Sequence, residues 1–288
     1  MLSLTDMTVQ LQAPKHEHYC TCIICTMKLY SQVDGNGRDL VLLTGLAGST
    51  QYWNHVHDQF LEAGFRVTRL DLLGFGRSPR LRAKGQGSYT VSAHVDSIVE
   101  TLQELNVKGA TIVGYSMSCS LVLRLAAGHP KLCSKAVLIC PPLYSSFSAA
   151  NGLAYQTGDI PRWVLDSIYA RIICRLVCSN KALALPIYRR IATNVPMAVR
   201  EDARLHNWKS YRESFDHLML HYRAEADLAA STTPSIIAYG TADKSVETTY
   251  LKSLAQKYSQ LKIYEIAGGH HQLPNESPEV IVRLITNA

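Results

Sequence analysis

The residues best placed to do chemistry lie in Thr111-Ile112-Val113-Gly114-Tyr115-Ser116-Met117-Ser118-Cys119-Ser120-Leu121-Val122, an apolar run leading through a serine into a second run of helical character. Gly114 and Ser118 stand two positions to either side of Ser116. That is the spacing a sharp strand-to-helix turn needs if neighbouring backbone is not to collide. Such a turn lifts the hydroxyl above a sheet and aims the unpaired N–H groups of the following helix at it, so Ser116 reads as a nucleophile. Other clusters carry less. Cys20-x-Cys22-x-x-Cys25 has short metal-ligand spacing but no second CxxC or His pair, and its Ile, Cys and Thr content reads as an apolar strand. His217 and His221 are four residues apart with no adjacent carboxylate motif, so no metal is expected. The glycine-rich stretch Asp71-Leu72-Leu73-Gly74-Phe75-Gly76-Arg77-Ser78 fits neither the phosphate-loop nor the dinucleotide pattern; it reads as a structural turn, and no cofactor is expected.

A nucleophile at a strand end needs a sheet to hold it. Continuous apolar runs at Asp39 to Thr44 and Phe65 to Leu70 read as buried strands of a parallel sheet, and Thr111 to Tyr115, Lys135 to Cys140, Pro234 to Tyr239 and Leu261 to Ile266 read as further strands. Between them, helical periodicity spans Thr50 to Ala63, Val91 to Leu105, the segment from the turn to about Ala127, Val246 to Tyr258 and Pro278 to Thr286. Two short strands are expected within 17–34. Alternation of this kind predicts an α/β fold with a mostly parallel sheet, because each parallel crossover carries a helix over one face. From Leu143 to Ala229 no strand is evident, and 161–179, 181–193 and 208–225 read as helices. The expected organisation is a core of 1–142 and 230–288 with a helical cap inserted at 143–229.

Composition narrows the partners. The chain has 288 residues, 47% hydrophobic and 18% charged, which is enough for a full globular core. Its net charge of +6 is dispersed, with no aromatic-basic stripe, so nucleic-acid binding is not expected. No apolar window reaches the roughly 18 residues of a membrane span. The N-terminal Met1-Leu2-Ser3-Leu4-Thr5-Asp6 shows no leader pattern, so a cytoplasmic protein with a small-molecule substrate is expected. Nothing in the sequence reports oligomeric state.

In an open parallel sheet, functional residues gather at the carboxyl ends of the strands. There the chain offers the amides of Gly45-Leu46-Ala47-Gly48, then Ser116, then Gly240-Thr241-Ala242-Asp243, then Ala267-Gly268-Gly269-His270-His271. Serine, aspartate and histidine emerge at one sheet edge in that order.

Taken together, the early glycine loop, Asp71-x-x-Gly74-x-Gly76-x-Ser78, Gly114-Tyr115-Ser116-Met117-Ser118 and Gly269-His270 make the chain resemble the α/β-hydrolase superfamily over almost its whole length. The resemblance implies the α/β-hydrolase fold, with Ser116 as nucleophile, Asp243 as the acid that orients the base, and His270 as the base, since the family's histidine directly follows glycine. It also implies an oxyanion hole from the backbone N–H groups of Leu46 and Met117. Thr44 replaces the histidine that usually precedes the first glycine, and Ser118 replaces the second glycine of the turn. The activity implied is hydrolysis of an ester, thioester or lactone of a small apolar metabolite. Carbon–carbon hydrolysis, lyase or cyclase chemistry and non-catalytic ligand binding are the alternatives. Trp163, Tyr169, Tyr188, Met197 and Trp208 of the insertion are the candidate substrate residues.

Overall fold

The computed structural model describes residues 27–81, 87–156, 168–169, 171–172, 197–202 and 205–287. The Cys20/Cys22/Cys25 cluster, Trp163 and Tyr188 lie outside these residues. The strands are β1 (Ser31–Asp34), β2 (Arg38–Leu43), β3 (Phe65–Leu70), β4 (Ala110–Tyr115), β5 (Cys133–Ile139), β6 (Ser235–Gly240) and β7 (Leu261–Ile266). They form one seven-stranded sheet in the order β1-β3-β2-β4-β5-β6-β7. Only β1 runs antiparallel to its neighbour, and the other five pairings are parallel. The strand bearing Ser116 is therefore central, flanked by β2 and β5.

The apolar runs of the inner strands are continuous because both sheet faces are covered there, whereas the edge strand β7 is largely exposed or half-buried. On β2, Leu40 and Leu42 join a core with Trp53, Phe60, Val67, Val113, Ile281 and Ile285, while the alternate residues Val41 and Leu43 join a second core with Ile98, Ile112, Leu121 and Leu138. That division is the period-two geometry of a strand. One face is covered by α1 (His57–Glu62) and the C-terminal helix Pro278–Thr286; the other is covered by α2 (Val91–Glu104) and α3 (Cys119–Gly128). The helix expected over Thr50 to Ala63 is broken. A 3₁₀ turn (Thr50–Trp53) precedes α1, and the two share neither cap nor register.

Between β5 and β6 the described residues contain α4 (Phe147–Leu153), α5 (Met197–Asp202), α6 (Trp208–Phe215), a single π turn (Asp216–Leu220) and α7 (Glu225–Ala230), with no strand. After β6 come α8 (Thr248–Lys257), then α9 (Leu273–Glu276) and α10 (Pro278–Thr286) beyond β7. Among the described residues no helix is long and apolar enough to cross a membrane.

One joint between the sheet layer and the inserted helices is sensitive to acid. His94 on α2 is fully buried, with Nε2 3.0 Å from Ser214 Oγ on α6. Its Nδ1 has no hydrogen-bond partner. Burial, reinforced by His217, drives the imidazole from 6.5 down to about 3. The unfolded chain therefore binds a proton that the folded chain refuses between those values. The stability contributed is complete above 6.5 and is lost as pH falls toward 3. A displacement of this size corresponds to on the order of 5 kcal/mol. Urea unfolding of wild type and His94→Gln at pH 7 and pH 4.5 should show the steeper decline in wild type; parallel declines would rule this group out as the cause.

Candidate active site

Ser116 sits at the end of β4 with φ 54°, in the left-handed region that non-glycine residues seldom occupy. Its surroundings hold it there. A Cβ at Gly114 would lie 2.8 Å from Val122 Cγ2 and 3.0 Å from the Cys119 amide nitrogen, so only glycine lets α3 approach this closely. Ser118, the departure from the usual glycine, braces the turn. Its Oγ accepts from the Tyr115 N–H and donates to the Tyr115 carbonyl, both at 3.0 Å. The early glycine loop lies alongside: a Cβ at Gly45 would stand 3.2 Å from Ser116 Cβ. Gly48 N–H donates to the Gly45 carbonyl at 3.1 Å to close this loop. Ser49 Oγ donates to Asp202 at 2.8 Å, tying the loop to α5.

The Asp71 loop is a structural turn, as expected. The Asp71 carboxylate accepts from the amides of Thr50 at 2.6 Å and Arg77 at 2.8 Å, and Ser78 Oγ donates back to the Asp71 carbonyl. Burial outweighs these donors and raises the Asp71 carboxyl above its ordinary value.

The histidine at the site is His271. Its Nε2 lies 2.9 Å from Ser116 Oγ and its Nδ1 lies 2.8 Å from Asp243 Oδ2, and the residue is 7% exposed. His270, expected from the Gly-His pattern, instead turns outward. Its side chain is 68% exposed and faces Glu276, which also accepts the His270 N–H at 2.8 Å. The reason lies in the turn after β7. Gly268 takes φ 72°, and Gly269 packs on Gly240 so closely that a Cβ on Gly240 would lie 2.0 Å from the Gly269 carbonyl oxygen. That contact, with Ala242 N–H donating to Gly269 O at 2.9 Å, holds the glycine pair flat against the β6 end. The following residue then faces solvent, and the next one faces Ser116.

Two tyrosines fasten the histidine segment to the central strand. Tyr115, the residue before Ser116, donates its hydroxyl to the His271 carbonyl at 3.0 Å. Its ring stacks on Tyr52 at 4.6 Å and 14°, and Tyr52 donates to Gln272 at 3.2 Å. Burial pushes both phenols well above their ordinary value, so they remain donors. Neither was visible as a site residue in the sequence, because nothing local marks which tyrosine will meet a loop more than 150 residues away.

Asp243 follows β6 and serves no helix cap, since Glu247 precedes α8. Its Oδ1 accepts from the Ser245 amide at 2.9 Å and the Ser245 hydroxyl at 2.6 Å. Burial alone would raise this carboxyl, but the bond and charge of His271 together with the two Ser245 donors bring it below its ordinary value. Cys140, at the end of β5, brings a third potential metal-ligand atom within 4.8 Å of those of Asp243 and His271. The set does not suit a resident metal. Asp243 and His271 are already bonded to each other, and burial with the Asp243 charge pushes the Cys140 thiol well up, away from the thiolate a metal needs.

Of the candidate substrate residues, Tyr169 and Met197 are 65% and 44% exposed, which is not the setting of a pocket lining. Trp208 is half-buried and stacks on Tyr211 at 5.9 Å.

A family model for the alpha/beta hydrolase fold matches residues 40–173. The chain has the α/β-hydrolase fold. The chain is 31% identical over 123 residues to the probable lysophospholipase BODYGUARD 4 of Arabidopsis thaliana, covering 42% of this chain and 28% of that protein. It is 35% identical over 105 residues to a putative non-heme haloperoxidase of Mycobacterium phage D29, covering 36% of each. These matches thus span only about a third of the relatives' lengths. Among solved α/β-hydrolase structures, E-2-(acetamidomethylene)succinate hydrolase superposes with a TM-score of 0.72 at 18% identity, over 92% of this chain and 96% of that one. The enol-lactonase of Burkholderia xenovorans gives 0.67 at 19%, over 91% and 96%. At these identities the likeness establishes the fold.

Proposed function

We propose that this chain is a serine hydrolase that cleaves an ester, thioester or lactone bond of a small, largely apolar metabolite. The observation that supports it most is the single imidazole of His271, within hydrogen-bond reach of Ser116 on one nitrogen and of Asp243 on the other. A serine hydroxyl is a poor nucleophile at neutral pH. His271 Nε2 takes its proton as Oγ attacks the substrate carbonyl, and the carbonyl π electrons move to oxygen. When the tetrahedral species collapses, the same proton passes to the leaving group, and an acyl-Ser116 ester remains. Water attacks that ester by the same route, returning Ser116 and a carboxylic acid. Asp243 keeps the Nδ1–H tautomer and balances the imidazolium.

The oxyanion would be met by the backbone N–H groups of Leu46 and Met117. The reading is supported by the approach of Gly45 to Ser116 and by the start of a helix immediately after the nucleophile. Loss of one such donor typically costs about 3 kcal/mol of transition-state stabilisation. The segment 143–229 acts in this reading as a cap over the core of 1–142 and 230–288, and supplies the apolar side of the substrate site. Esterase, lysophospholipase and lactonase names among similar proteins are consistent with carboxyl-ester chemistry.

A fluorophosphonate probe should form a one-to-one adduct that peptide mass spectrometry maps to Ser116, and p-nitrophenyl acetate or butyrate should be turned over. Ser116→Ala should lose both. A folded sample that neither labels nor turns over would overturn the assignment.

A further inference from the structure

We propose that Ser245 is a fourth, positioning member of the site, a buried hydroxyl that closes a ring of hydrogen bonds with the Asp243 carboxylate and His271 Nδ1. The inference rests on the hydrolase reading above and goes beyond it to a residue that the serine, histidine and aspartate arrangement does not include. Ser245 Oγ lies 2.6 Å from Asp243 Oδ1 and 3.0 Å from His271 Nδ1. The Ser245 amide adds a second donor to the same Oδ1 at 2.9 Å. An ionised carboxylate only accepts, so the single hydroxyl proton goes to Oδ1, and the Oγ lone pairs face the imidazole. The Nδ1–H is then shared between Asp243 Oδ2 at 2.8 Å and Ser245 Oγ at 3.0 Å.

Two consequences follow for the reaction. Rotation of the imidazole about its Cβ–Cγ bond would break two bonds at Nδ1 instead of one, so Nε2 stays aimed at Ser116. When Nε2 takes up the Ser116 proton, the new positive charge meets both a carboxylate oxygen and a hydroxyl oxygen at Nδ1. Ser245 is fully buried, so in Ser245→Ala no water is positioned to replace the lost oxygen. Oδ1 loses its hydroxyl donor and keeps the backbone one, so the carboxylate is held less firmly. Such loosening near reacting atoms acts on the chemical step rather than on substrate binding.

The experiment compares wild type with Ser245→Ala and Ser245→Thr on a p-nitrophenyl ester. It also records the far-downfield proton resonance of the His271–Asp243 bond. For Ser245→Ala the expected result is a fall in kcat of about 10- to 100-fold with KM within about twofold, and a downfield resonance that shifts or broadens away. Ser245→Thr keeps the hydroxyl and should recover most of kcat. If the added methyl group prevents that variant from folding, the alanine variant and the resonance still decide. A kcat for Ser245→Ala within twofold of wild type, or an unchanged resonance, would overturn the proposal even if the melting temperature fell. Failure of wild type to label with a fluorophosphonate would instead overturn the hydrolase reading itself, so the two failures are distinct.

Discussion

Replacing His271 with alanine is expected to lower kcat/KM for a p-nitrophenyl ester by about 10⁴-fold or more, whereas His270→Ala should stay within about threefold of wild type. The two histidines are adjacent in sequence but opposite in setting. His271 is 7% exposed and bonded to Ser116 and Asp243; the His270 side chain is 68% exposed and faces Glu276. In the proposed mechanism, removing His271 leaves Ser116 without a base, and it takes the imidazole partner from Asp243. Removing His270 deletes a solvent-facing ring and leaves its backbone bond to Glu276 in place. Steady-state kinetics on the two variants, with circular dichroism to confirm folding, settles the matter. A large loss in His270→Ala with activity kept in His271→Ala would overturn the assignment.

Asp243→Asn should reduce kcat by about 10⁴-fold with little change in the melting profile at low pH. An amide facing Nδ1 can present its NH₂ group, which favours the tautomer with the proton on Nε2 and so removes the base from Ser116. The same carboxylate also contributes to stability. Its folded-state value is held below the ordinary 3.8, so the unfolded chain binds the proton more readily. The resulting stabilisation is complete above the unfolded carboxyl value and is lost as pH falls through the folded one. In urea titrations the gap between wild type and Asp243→Asn should therefore be widest near neutrality and narrow in acid. A gap independent of pH would show that the loss is one of packing and not of charge.

Much of this site was legible in the chain. The strand at Leu40 to Leu43 reads as doubly buried because both of its faces carry apolar side chains, and that is how β2 packs. Ser116 is marked by small neighbours at two residues on either side, and the collision that a Cβ at Gly114 would cause shows why. Asp243 is recognisable because the end of β5 offers Cys140-Pro141-Pro142 and no carboxylate. The choice between His270 and His271 was not legible. It depends on a turn whose path is set by the contact of Gly269 with Gly240, a contact across two strands that no local pattern encodes. Ser118, which stands in place of the second glycine of the turn, is a brace that no pattern marks, because its role arises only when the backbone of Tyr115 comes within reach of its hydroxyl. The break at Asn54–Val56 escaped a periodicity reading because Trp53 and Val56 are both buried against the same core from either side of it.

The stacked tyrosines have an optical consequence. Trp53 meets Tyr52 edge-on at 5.3 Å, Tyr52 stacks on Tyr115 at 4.6 Å, and Tyr115 lies 5.6 Å from the His271 imidazole. Excitation of either phenol can pass along this row to an indole that is fully buried and whose Nε1 has no hydrogen-bond partner, so it emits toward the blue. The protein thus carries a fluorophore coupled through two stacked phenols to the segment that holds His271, so its emission reports the packing of Tyr52 and Tyr115.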